Sequence, residues 1–223
     1  MTFINRLLWI GLAILALLIY ISNMGFRSIA EAYKISTPLS TTLGILLLGL
    51  TLLIFVLGAR KTDILSQNKP IFQKGEGKRI GLGFLSIICV SIIGSILLQV
   101  LNGDKTTSNQ AYLTEMLQNG NIVVMLLTVV FLAPIAEEVI FRGLIPLKIF
   151  KSYEEIGYIV GGTIFAFLHG VTNFPSLFIY GGMSFILTWM VYRTKRLEVS
   201  IAIHMINNSL GTAILLLSIL FGG

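Results

Sequence analysis

Seven apolar segments, at about residues 7–22, 39–59, 80–101, 122–141, 153–169, 175–192 and 199–220, alternate with short polar stretches along this chain. A bilayer core about 30 Å thick takes roughly 20 helical residues to cross, so most of these runs can span it, and the fifth is short. Backbone groups in lipid must find partners within their own segment, which selects helices over open sheets. The expected fold class is all-α: a polytopic membrane helical bundle of about seven transmembrane helices. Composition agrees, with 55% hydrophobic and 12% charged residues and a mean hydropathy of +0.89, values that exclude an ordinary water-soluble domain. Arg6 and the apolar run after it have the look of a signal sequence. Ser22, Asn23 and Met24 offer no small-x-small cleavage site, so an uncleaved first span is expected.

The net charge of +6 is explained by topology. With the N-terminus in the cytoplasm, twelve of the sixteen Lys and Arg fall on that side: Arg6, six in residues 60–79, Lys148, Lys151, Arg193, Lys195 and Arg196. Arg27, Lys34 and Lys105 fall on the other, and Arg142 lies at the membrane boundary. This asymmetry follows the positive-inside rule, so no nucleic-acid partner is needed. The single Cys89 allows no intrachain disulfide and reads as a small buried hydrophobe. Residues 60–79 and 102–121 read as polar loops, although Ala111, Tyr112, Met116 and Leu117 in the second have loosely helical spacing. The first three spans carry essentially no intramembrane ionisable group. Residues 1–121 therefore read as scaffold helices and loops, and 122–223 as the functional core of one integral membrane domain.

The unusual polarity starts in residues 131–142, FLAPIAEEVIFR. Each charge inside a membrane helix costs about 2.5–3.5 kcal/mol. Glu138 and Arg142 are four apart on one helical face and can pair, which offsets much of that cost. Glu137 points about 100° away and has no local partner, so one carboxylate reads as structural and the other as available for chemistry. Pro134 leaves the Val130 carbonyl without its helical donor; the resulting kink serves either packing or room beside Glu137. The following GLIPLKIFKSYEEIG is expected to lie along the cytoplasmic interface. Ser152 and Glu155 have capping-box spacing, which starts the next helix at Tyr153. Gly157 and Gly161 form a GxxxG pair, with Gly162 beside it, for close helix packing.

The two histidines, His169 and His204, both fall in apolar helical context, where an ionisable group points to function. Phe165 is four residues before His169 and can pack beside its ring. Asn208 is four after His204 and can share its site, while Asn207 faces a helix neighbour. At 1.5 Å per residue, Glu137 lies about 7 Å inward from Arg142 and His204 about 9 Å from Glu198, so the two depths agree. His169 comes out deeper, and the turn after it can be re-entrant within the protein.

Glu137-Glu138-Val139-Ile140-Phe141-Arg142, Phe165-Ala166-Phe167-Leu168-His169 and His204-Met205-Ile206-Asn207-Asn208 resemble the EExxxR, FxxxH and HxxxN motifs of the CAAX protease and bacteriocin-processing (CPBP, or Abi) family. The resemblance covers about residues 122–211. It implies a CAAX-protease-like core acting as an intramembrane endopeptidase on a membrane-associated peptide or protein. Glu137 would activate water with help from His169, His204 and Asn208 would hydrogen-bond the developing oxyanion, and Glu138, Arg142 and Phe165 would support them. Such chemistry suits a desolvated carboxylate beside preorganised donors. Family members are often called metalloproteases; if zinc were bound, His169, His204 and Glu137 would be its ligands. HExxH spacing is absent and Asn208 is a poor zinc ligand, so no cofactor is favoured. The expected setting is a bacterial cell membrane, with the site open toward the cytoplasm. The competing readings are a non-enzymatic membrane scaffold or bacteriocin self-immunity protein, and a small proton-coupled transporter, against which stands the lack of repeat symmetry.

Overall fold

The computed structural model describes residues 3–34, 36–65 and 73–221. Lys69 of the basic loop lies outside them. The described residues form eight helices in succession and contain no strand. They are α1 (Phe3–Ala32), α2 (Thr37–Lys61), α3 (Glu76–Asn102), α4 (Ser108–Asn119), α5 (Ile122–Ile149), α6 (Glu154–Leu168), α7 (Phe174–Thr194) and α8 (Leu197–Phe221). Six of them, all but α4 and α6, are long and apolar enough to cross a membrane. The fold is an all-helical polytopic membrane bundle with a count near the expected seven. Large apolar side chains cover its outside, Leu46, Leu85 and Phe185 among them, and an exterior of that kind belongs in lipid.

Local chemistry sets the helix ends. At the start of α7, Asn173 accepts from the Ser176 amide at 2.9 Å while Ser176 Oγ accepts from the Asn173 amide at 3.1 Å, a reciprocal cap just before Pro175. α3 ends at Gly103 in the left-handed region (φ 72), where the Gly103 amide closes onto the Gln99 carbonyl. Arg60 and Lys61 in the last turn of α2 complement its dipole.

Four expectations are corrected. Residues 102–121 are mostly helix: Thr107 Oγ1 caps α4 by accepting from the Gln110 amide at 3.3 Å. The chain after Arg142 stays helical to Ile149, with Gly143 to Pro146 buried rather than lying along an interface. The helix after it starts at Glu154 with Tyr153 as N-cap and no side-chain capping bond, so the Ser152 box does not form. Cys89 is exposed on α3 rather than buried.

α5 is the central post. It packs against α1, α2, α6 and α8, while α7 fills the space between α3, α6 and α8. The GxxxG face of α6 explains how close its approach is. A Cβ on Gly161 would overlap the Phe141 carbonyl oxygen, and one on Gly157 would lie 2.5 Å from Pro146 Cα. Backbone thus meets backbone where α6 crosses α5, which delivers Phe165 and His169 to the level of Glu137.

Candidate active site

The stretch bearing both glutamates is not a plain α-helix. Thr128–Leu132 and Val139–Ile149 are π-helical, on either side of the α-helical Ala133–Glu138. π turns hydrogen-bond five residues back and recur at functional sites. The Ala133 amide donates to the Thr128 carbonyl. In the same register Pro134 would serve Val129, but it has no N–H to give. Asn208 of α8 supplies the donor, with Nδ2 3.0 Å from the Val129 oxygen. In the π register the carbonyl left open by Pro134 is that of Val129, where the α-helical count gives Val130.

On the face of α5 toward α7 and α8, Glu138 and Arg142 are fully buried. Arg142 Nη1 donates to Glu138 Oε1 at 3.0 Å, Nη2 to Ser184 Oγ at 2.9 Å and to the Ser184 carbonyl at 3.2 Å, and Nε to Thr188 Oγ1 at 3.3 Å. Its guanidinium carbon lies 4.1 Å from the centre of the Phe165 ring. Ser200 Oγ donates to Glu138 Oε2 at 2.5 Å, and His204 Nδ1 lies 3.0 Å from Glu138 Oε1. A carboxylate can only accept, so His204 carries its proton on Nδ1 and turns Nε2 toward Glu137. The expected Glu138–Arg142 pair is thus present at the centre of a network of bonds that stabilises both charges.

Glu137 faces the other way, toward α1 and α4. Its Oε1 accepts from Tyr20 Oη at 2.7 Å. Its Oε2 is buried and has no hydrogen-bond partner, and His169 Nε2 and His204 Nε2 stand 3.9 and 3.7 Å away. Both distances exceed a hydrogen bond. His169 closes the C-terminus of α6, where its Nδ1 lies 2.8 Å from the Phe165 carbonyl. That oxygen accepts only, so His169 too holds its proton on Nδ1 and presents Nε2. The Phe165 ring packs 4.2 Å from the His169 ring and 5.7 Å from that of His204, as its spacing predicted.

Two cavities meet at Glu137, Tyr20 and His169. One, of about 140 Å³, runs inside the bundle past Asn109, Gln110, Asn207, Asn208 and Thr212. The other, of about 390 Å³, opens between α1 and the end of α6, beside Leu17, Ile21, Tyr112 and Leu168. Both lie on the α4 side of Glu137, away from the end that carries Arg60, Lys61, Arg193 and Lys195.

Among the described residues, no group of three His, Cys, Asp or Glu side chains is arranged to hold a metal ion. Zinc bonds of 2.0–2.1 Å put tetrahedral ligand atoms about 3.4 Å apart, less than either glutamate–histidine separation.

Of the residues singled out in the sequence, Glu137, His169 and His204 converge. Glu138, Arg142 and Phe165 lie directly behind them. Asn208 lines the inner cavity with one amide hydrogen committed to Val129 and a second left over. Sequence reasoning missed Tyr20, Ser184, Thr188 and Ser200. Ser200 had a signal, since Ser200, His204 and Asn208 are successively four apart on one helical face.

Known proteins point the same way. The family model for type II CAAX prenyl endopeptidases of the Rce1-like kind matches residues 119–210. UPF0177 protein YvdC of Lactococcus lactis is 31% identical over 180 residues, which cover 81% of this chain and 68% of that protein. The putative membrane peptidase YdiL of Bacillus subtilis is 26% identical, over 63% of this chain and 60% of its own length. The membrane-embedded CAAX protease MroQ of Staphylococcus aureus is 30% identical, over 57% of this chain and 53% of its own. The matched segments thus span between about half and two thirds of these relatives. No solved structure matches the chain. With its three motifs assembled around one carboxylate, the chain belongs to the CAAX protease and bacteriocin-processing family of membrane proteases.

Proposed function

We propose that the chain is an intramembrane endopeptidase that hydrolyses a membrane-associated peptide or protein by water activated at Glu137. The observation that carries this reading is Glu137 Oε2, a buried oxygen without a hydrogen-bond partner, placed where two imidazole nitrogens and two cavities meet.

In this reading Glu137 takes one proton from a water molecule as its oxygen attacks the carbonyl carbon of the scissile peptide. His169 Nε2 accepts the water's second hydrogen bond and orients it. The charge that develops on the carbonyl oxygen is met by His204 in its protonated form and by the uncommitted amide hydrogen of Asn208. The proton held by Glu137 then passes to the departing amide nitrogen as the C–N bond breaks, giving a carboxylic acid and an amine. No step needs a metal. Chelation of active protein is expected to leave hydrolysis intact, and a loss restored by added zinc would overturn that part of the reading.

The peptidase itself is tested by Glu137→Gln in proteoliposomes. Peptides from membrane and secreted fractions, identified by mass spectrometry, should be cleaved by the unaltered protein and not by the variant. Cleavage that survives the substitution would overturn Glu137 as the base, and biological activity that survives the loss of cleavage would favour a non-enzymatic scaffold or immunity protein instead.

A further inference from the structure

Tyr20 lies in α1, far outside the family-matched residues 119–210. Its hydroxyl nevertheless ends 2.7 Å from Glu137 Oε1 in a buried bond that links positions 117 apart in the chain. It also lines both cavities where they meet. An ionised carboxylate only accepts, so the phenol donates. With Oε1 held from one side, turning the carboxylate about its last torsion costs this bond, which keeps Oε2 aimed between the two imidazole nitrogens. We propose that Tyr20 is a positioning residue for the hydrolytic reaction: it fixes which oxygen of Glu137 meets the water. This role rests on the peptidase reading. It makes α1 part of the working site, supplied from the half of the chain that the sequence marks as scaffold.

Tyr20→Phe removes one oxygen and keeps the ring, so a structural and a positioning role can be separated. Infrared spectra of the detergent-solubilised protein with isotope-labelled glutamate assign the Glu137 carboxyl band as the one lost in Glu137→Gln. In Tyr20→Phe that band is expected to shift while the unfolding temperature changes little. The reciprocal arm needs no Tyr20 variant: with labelled tyrosine, Glu137→Gln should shift a ring C–O band of the otherwise unaltered protein. Unmoved bands in both arms would overturn the proposal whatever the hydrolytic rate. On a peptide cleaved by the unaltered protein, Tyr20→Phe is expected to lower kcat about tenfold or more, as misplacement of a reacting group does, with KM within about twofold. Unchanged kcat beside a shifted band would overturn positioning and leave a structural bond. Unaltered protein that cleaves no peptide would instead overturn the peptidase reading, and the spectra report on the bond separately.

Discussion

Glu138 has both oxygens occupied, by Arg142 and His204 on one and Ser200 on the other, and it faces packed helices with no exposure. Glu137, one residue earlier, faces two cavities and has one oxygen held by Tyr20 and the other unpartnered. The two share a residue type, a helix and a depth. Their different surroundings divide them: a carboxylate with both oxygens bonded and no cavity beside it holds its neighbours in place, whereas one with an unpartnered, buried oxygen facing a cavity keeps the capacity to take a proton. An adjacent pair of identical residues can therefore serve structure and chemistry at once, because a helix turns successive side chains about 100° apart.

Substitutions should separate the two faces. The largest effect is expected from Glu137→Gln, a loss of about 10²–10⁴ in hydrolytic rate with little change in unfolding temperature; a variant that instead fails to fold would collapse the distinction. Glu138→Gln or Arg142→Gln strands a buried charge and is expected to cost about 3–5 kcal/mol of stability, read by denaturant unfolding in detergent. If either variant were as stable as the unaltered protein, the network around Glu138 would not be structural. Gly161→Ala places a methyl group against the Phe141 carbonyl and should cost about 1–3 kcal/mol, with hydrolysis lowered as well because His169 moves with α6. Ser200→Ala removes a single hydrogen bond to a charged group, about 1.5 kcal/mol, and should leave hydrolysis near normal. A large rate loss there would mean that the two carboxylates are coupled more tightly than their surroundings suggest.

What was legible in the sequence was local. Glu138 and Arg142 are one helical turn apart, so their pairing needs no knowledge of the fold, and two histidines in apolar helices stand out by composition alone. Tyr20 was not legible. A lone tyrosine in an apolar run is common at membrane interfaces, and its partner lies 117 residues away. Pro134 announced an open carbonyl but not which one, since that depends on a π turn set by packing around Thr128–Leu132. The helix in residues 102–121 was obscured by its polar composition, with Thr107 held both as a cap and by Tyr180, whose hydroxyl is 2.6 Å away. The Tyr20 and Thr107–Tyr180 bonds are contacts between distant segments, which periodicity does not carry.

The crossing of α6 over α5 has a consequence for life in a membrane of varying thickness. At fifteen residues and 1.5 Å each, α6 is about 22 Å long, shorter than the hydrocarbon layer. Such a helix is the one most exposed to sliding when lipids thin or thicken around it. Its grip on α5 is made through glycine against main chain, at Gly161 and Phe141 and again at Gly157 and Pro146. Main-chain contacts have no rotamers to yield. The distance from His169 to Glu137 is thereby insulated from the bilayer, so changes in lipid composition should alter how a substrate arrives far more than how the site is set.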